Sequence, residues 1–132
     1  YVSQLGSGAP EQRAQAAEFL GAQRVAEAIP ALRVALRDTV AEVRAKAAWA
    51  LGMLCSKEAL PDLLQVLRDP SRRVRQQTVW ALMQVEEPEA APALQVAARI
   101  EKDAWIREDM RRAIQYLMQF CGDVKVNEST FR

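Results

Sequence analysis

Two stretches decide the fold of this chain: VRAKAAWALGML at 43–54 and VRQQTVWALMQV at 74–85. Superposed, they carry Val, Arg, Trp, Ala and Leu at the same offsets, and columns on either side extend the match. Pro30, Pro61 and Pro92 are 31 residues apart, as are Leu32, Leu63 and Leu94, Arg37, Arg68 and Arg99, and Arg13, Arg44 and Arg75. Arg107 continues the last column one residue late, so a single insertion lies between Arg99 and Arg107. In the same frame Leu20, Leu51 and Leu82 are followed by Ile114, and Gly21 matches Gly52. A period near 31 residues, with a helix-sized segment on either side of each break, describes antiparallel helix pairs stacked into a solenoid.

Punctuation divides each unit into two helices. The first class, A, covers 25–36, 57–67 and 89–98, each with a proline near its start, where early N–H groups lack partners anyway. The second class, B, covers 10–22, 40–55, 71–85 and 104–121. Thr39 with Glu42 has the capping-box spacing, Asp69 before Pro70 reads as a cap with proline at the first helical position, and Asp103 reads as the cap of the last helix. The units are therefore 1–22, 23–55, 56–86 and 87–121, the first one truncated. Residues 1–5 align with 32–36, so the chain enters in the middle of an A helix and the missing half is expected upstream. Arg111 stands in the slot of Ala48 and Val79, which suits a stack that ends there with a polar face. After Gly122, a helix stop, residues 122–132 are expected to form an extended or mobile tail.

Composition narrows the function classes. With 132 residues, half of them apolar, the chain can bury a single core without disulfides or metals. Eighteen basic residues against seventeen acidic leave a net charge of +1, which argues against a dedicated polyanion binder or membrane-surface protein, so any nucleic-acid role would need a local patch. Cys55 and Cys121 fit neither a disulfide framework nor a metal knuckle, which points to a reducing, cytoplasmic setting. No apolar run approaches the roughly 20 residues of a membrane helix. A signal peptide cannot be judged in a chain that opens on Tyr1. The absence of histidine removes the commonest general base and neutral metal ligand. Glu86, Glu87 and Glu89 beside Pro88 read as a solvated helix junction, no phosphate-cradling glycine loop occurs, and no cofactor or metal is expected. The acceptor-like triplet Asn127-Glu128-Ser129 matters only in a secretory setting.

The segments RDTVAEVRAKAAWALGML (37–54) and RDPSRRVRQQTVWALMQV (68–85), preceded by AIPALRVAL (28–36) and ALPDLLQVL (59–67), with AAPALQVAA (90–98) opening the next unit, resemble HEAT-like repeats of the short, phycobilisome-lyase type. The resemblance covers nearly all of residues 1–121 and implies an all-α solenoid, a superhelix of about four helical hairpins. It further implies that the signature acid and arginine lie close together and join neighbouring turns. The pairs would be Asp38 with Arg44, Asp69 with Arg75, and Glu101 with Arg107, a structural ladder. It also implies that B helices line the concave surface.

A helix turns by about 100° per residue. With Val43 at zero, Ala47, Ala50, Leu51 and Leu54 fall on one side and Trp49 comes out near 240°, roughly opposite them. Trp80 repeats the result against Thr78, Ala81, Leu82 and Val85. The two indoles are thus expected on neighbouring B helices in one aromatic strip. The same wheel places Lys46, Met53, Arg73, Gln77, Trp105, Arg112 and Tyr116 on that face, with Glu18, Gln84 and Asp109 beside them. Aromatic anchors among amides and mixed charges are the composition of a protein-binding hot region. The alternative is purely structural: the indoles lie over small neighbours such as Ala45 and stack on each other.

The expected function is a non-catalytic scaffold or regulatory module that holds another protein's helix or extended segment in the concave groove, with self-association through that groove or the truncated end a further possibility. A second reading, from the resemblance, is a bilin lyase or chaperone-like subunit holding a linear tetrapyrrole, although no specific bilin signature is present. A third, disfavoured by the net charge, is nucleic-acid recognition. Arg68, Arg72, Arg73, Arg75, Arg107, Arg111 and Arg112 prompt it, and Trp105 with Asp109 has the one-turn spacing of HEAT-like DNA glycosylase sites.

Overall fold

The structure, a computed structural model, describes residues 1–119. The reading of the tail at 122–132, Cys121 and the end of the last helix at 121 lie outside those residues. The described chain forms seven α-helices and contains no strand: α1 (Pro10–Ala22), α2 (Ile29–Ala35), α3 (Ala41–Met53), α4 (Leu60–Gln65), α5 (Arg72–Val85), α6 (Ala90–Ile100) and α7 (Ala104–Met118). The odd-numbered helices are the B class and the even-numbered ones the A class, and together they form an α-solenoid of two layers.

The A helices are short for a local reason. In the second and third units a 3-10 turn, Ala26–Ala28 or Lys57–Ala59, precedes the α-helix, and Pro30 or Pro61 sits in the first α turn. Proline lacks the N–H that would continue the tighter spiral, so the change of pitch falls at that residue. Each B helix of the first three units stops at a residue in the left-handed conformation, Arg24, Cys55 and Glu86, with φ of 53°, 49° and 59°.

Two of the three expected caps differ. Thr39 does not cap α3: its N-cap is Val40, without a side-chain bond. Asp69 does not cap α5 either; Ser71 does, accepting from the Val74 N–H at 3.5 Å. The reason is that the acids are committed one step earlier. Asp38 accepts from the Val40 N–H and Asp69 from the Ser71 N–H, each at 2.9 Å, bracing the A-to-B corner. Asp103 caps as expected, accepting from the N–H groups of Trp105 and Ile106. Those bonds, Ile106 first, together with Arg72, hold its carboxyl below the ordinary aspartate range despite the opposing effect of burial.

The core lies between the layers. Leu32, Leu36, Leu63 and Leu94 come from the A side; Val43, Leu51, Val74, Leu82, Ile106, Met110 and Leu117 come from the B side, and all are sealed from solvent. Within the B layer adjacent helices touch at small residues. A β-carbon added at Gly21 would stand 2.7 Å from both Cα and Cβ of Ala50, and one at Gly52 would stand 2.9 Å from the Ala81 Cα. Backbone occupies the space, so only glycine fits.

The ladder differs from the expected within-unit pairs. Arg13 Nε and Nη2 bind both carboxylate oxygens of Asp38 at 2.8 and 3.0 Å, Arg44 binds both oxygens of Asp69 at the same distances, and Arg75 Nε binds Glu101 at 2.8 Å. Each carboxylate belongs to the unit after its arginine. Within the unit the arginine instead donates Nη1 to a corner carbonyl: Arg44 to Asp38 O, Arg75 to Asp69 O, and Arg107 to Glu101 O. The planar guanidinium has enough donors to clasp its own corner and the next one at once. The acids are nearly sealed, with side chains 6% exposed at Asp69 and 4% at Glu101. Burial alone would raise the Asp38 carboxyl, but hydrogen bonds from Arg13 and the Val40 N–H, with the charges of Arg13 and Arg44, outweigh it and hold the pKa below the usual value.

Gly52→Ala is expected to destabilise the fold: helix propensity gains about 1 kcal/mol, but overpacking against the Ala81 backbone costs about 1–3 kcal/mol. Urea unfolding of the two proteins measures the balance. For Asp38→Asn the expected loss is about 2 kcal/mol at pH 7. Because the folded pKa is depressed, the wild-type advantage is fully present above the unfolded value near 3.9 and disappears as pH falls through the folded pKa. Thermal unfolding of both proteins between neutral and strongly acid pH checks it.

Candidate functional site

The glycine contacts that set the B-layer spacing also seat the indoles. The edge of the Trp49 ring lies where a Gly21 β-carbon would be within 3.0 Å, and the edge of Trp80 lies 2.7 Å from the corresponding point on Gly52. Each indole therefore rests on the helix of the preceding unit. The two rings stack on each other at a centroid separation of 6.5 Å and an interplanar angle of 14°. Both are half-buried and pack against the edge of the core. They are neither sealed inside it nor free in solvent, and small residues, Gly21 and Gly52, seat them, as the structural alternative expects of small neighbours.

The regular pattern breaks at the last joint. The glycine column Gly21, Gly52 continues to Met83, and the tryptophan column Trp49, Trp80 continues, after the insertion, to Arg112. A side chain in the glycine slot prevents the backbone contact made at the two earlier joints, and α7 packs less closely on α5 than α5 does on α3. A cleft of about 620 Å³ opens there, lined by Trp49, Gln76, Gln77, Val79, Trp80, Met83, Asp109 and Arg112. A smaller hollow of about 220 Å³ adjoins it toward the N-terminal units, lined by Glu18, Ala45, Lys46, Trp49, Arg73 and Gln77. Trp49 and Gln77 belong to both, so the two form one trough across the B layer.

Of the residues expected on this face, Trp49, Trp80, Lys46, Arg73, Gln77 and Arg112 meet in the trough. Met53, Trp105 and Tyr116 line neither part. Met53 and Tyr116 are half-buried, and Trp105 stands 78% exposed at the start of α7. Sequence reasoning missed Gln76, Val79 and above all Met83. The signal for Met83 was the interrupted glycine column, which becomes meaningful only once glycine is seen to touch the next backbone.

The trough is close to neutral. Lys46 pairs with Glu18 at 3.3 Å, Arg73 with Glu42 at 3.5 Å, and Arg112 with Asp109 at 3.8 Å. All three cations have exposed or half-exposed acid partners, so ligand groups of either sign can exchange with them at small cost. Indole faces and amides provide apolar area and neutral hydrogen bonds. A larger opening of about 970 Å³ lies between residues 2–6 and α2, but its charged walls are committed to the pairs Arg13–Asp38 and Arg33–Asp62. Among the described residues no group of three or more His, Cys, Asp or Glu side chains is placed to hold a metal ion. No described helix is long and apolar enough to cross a membrane.

Comparison with known proteins fits this geometry. A family model described as HEAT repeats matches residues 2–71 and 41–117. The complex of CpcE and CpcF of phycocyanin lyase from Nostoc sp. PCC7120 is similar, with a TM-score of 0.71 at 23% identity, over 89% of this chain and 64% of the other. Two engineered proteins are similar at TM-scores of 0.70 and 0.67, both at 21% identity, over 88% of this chain and 60% and 36% of theirs. The chain thus spans less than two thirds of each of these structures. No match was found among the curated proteins.

Replacing the half-buried Trp80 with Ala is expected to cost about 2 kcal/mol, below the roughly 3–5 kcal/mol of a fully buried ring. Trp105→Ala should stay within about 0.5 kcal/mol of wild type in the monomer. Urea unfolding of each variant, followed by far-UV circular dichroism at low protein concentration, measures both.

Proposed function

We propose that this chain, which belongs to the HEAT-repeat family, is a non-catalytic scaffold that holds an extended or helical segment of another protein in the trough across its B helices. The observation that carries the reading is the cleft beside Trp80, where Met83 and Arg112 replace the glycine and tryptophan of the preceding units. Two closed joints build a rigid indole shelf, and the open one leaves its outer face available. Aromatic and arginine groups in a partly desolvated recess are where binding energy concentrates in protein interfaces. The bets for contact are Trp49, Trp80, Lys46, Arg73, Gln77 and Arg112, the indoles as anchors and the polar groups as orienting contacts. Met53, Trp105 and Tyr116 extend the surface beyond the trough.

A second reading has one observation in its favour, the structural likeness to a phycocyanin lyase complex. On that reading the trough takes a linear tetrapyrrole. The indoles and amides of the lining match a polypeptide's apolar side chains and neutral backbone groups, which favours the first reading.

Selection of a displayed random-peptide library on the immobilised chain tests the proposal. Binders enriched in aromatic residues are expected. They should weaken at least tenfold, about 1.4 kcal/mol, against the double variant Gln77→Ala/Arg112→Ala, which removes side chains without touching the core. Binders indifferent to that variant would place recognition elsewhere. A shift in visible absorbance when a bilin is added, absent with the double variant, would favour the tetrapyrrole.

A further inference from the structure

Trp105, Asp109, Arg112 and Tyr116 follow the i, i+4, i+7, i+11 spacing and so form one stripe along α7. In chain order the stripe is aromatic, acid, base, aromatic. The outer pair, 105 and 116, and the inner pair, 109 and 112, share one midpoint between Met110 and Arg111. Turned end for end about that point, the stripe presents an aromatic to each aromatic and an acid to each base. It is its own complement. That property is what a two-fold symmetric contact requires, since the same patch must serve on both sides.

The side chains are placed to use it. Trp105 is 78% exposed, the most exposed of the chain's large apolar side chains among the described residues. The Arg112 and Asp109 side chains are 69% and 39% exposed and approach each other only to 3.8 Å, longer than a close hydrogen-bonded pair, so both can take a second partner. Tyr116 is half-buried and packs against the edge of the core.

We propose that two copies of this chain associate through antiparallel α7 helices, Trp105 of each copy lying on Tyr116 of the other and Asp109 of each bonded to Arg112 of the other. Charge complementarity selects a second copy over a different protein, because the stripe matches itself at all four positions. A single helix face is smaller than the roughly 1,200–2,000 Å² buried in stable complexes, so the dimer is weak and depends on concentration. The inference does not rest on the partner reading: it concerns α7 alone and its readout is mass.

Sedimentation equilibrium over about 5–500 µM, a range bracketing weak association, tests it. The wild-type mass should rise from monomer toward dimer across the series. Trp105→Ala should stay monomeric, and so should Asp109→Arg, which sets arginine against arginine. The exchange Asp109→Arg/Arg112→Asp should restore the dimer, because the swapped stripe is again its own complement; far-UV circular dichroism confirms that each variant keeps its helices. A wild-type protein monomeric throughout, a dimer that survives Trp105→Ala or Asp109→Arg, or an exchange variant that is folded yet monomeric would overturn the proposal.

Discussion

Backbone contact between neighbouring B helices governs this molecule. Where Gly21 meets Ala50 and Gly52 meets Ala81, nothing larger than hydrogen fits on the glycine. That closeness sets the rise from one unit to the next. It also creates the flat seats on which Trp49 and Trp80 lie, and because the seats repeat, the rings come to stack at 6.5 Å. The indole row is a consequence of the helix spacing, and the spacing is a consequence of two missing side chains.

A second, independent device holds the same joints at their far edge. Arg13, Arg44 and Arg75 each grip a carbonyl of their own unit and the carboxylate of the next, so neighbouring units are tied at the A-to-B turns while glycine and alanine tie the B helices. The acids are buried enough that an unpaired one would be costly, and the arginine fork meets that cost with short bonds. Two clamps on each joint make the first three units a stiff body. The third and last joint keeps the ladder through Arg75 and Glu101 but has Met83 in the glycine slot, so α7 is held at its start and stands off along its length. A cleft bounded by the indole shelf on one side and a standing-off helix on the other is what the proposed binding role rests on.

Much of this was legible in the chain. The 31-residue frame gave the number and order of the described helices and most of their ends, because hydrophobic period, proline and ladder residues all repeat in register; α2 and α4 start later than the frame puts them, because 3-10 turns take up their first residues. The indole strip followed from the angular position of Trp49 and Trp80. What could not be read was where donors point. Thr39 and Asp69 have capping spacing, yet Asp38 and Asp69 spend their oxygens on the next residue but one and on an arginine 25 positions earlier. Sequence spacing favours near partners such as Asp38 and Arg44, whereas stacking brings distant ones together. Gly21 and Gly52 were visible as a column, but that the column marks a backbone contact, and that Met83 therefore opens a cleft, required coordinates.

The most direct measurement is a crystal structure of the double variant Met83→Gly/Arg112→Trp. It restores the repeat pattern at the last joint. If glycine spacing governs the layer, α7 will close onto α5, Ala113 will meet residue 83 as Ala81 meets Gly52, and a third indole will extend the stack. An α7 that keeps its present distance from α5, with the cleft still open, would contradict the account.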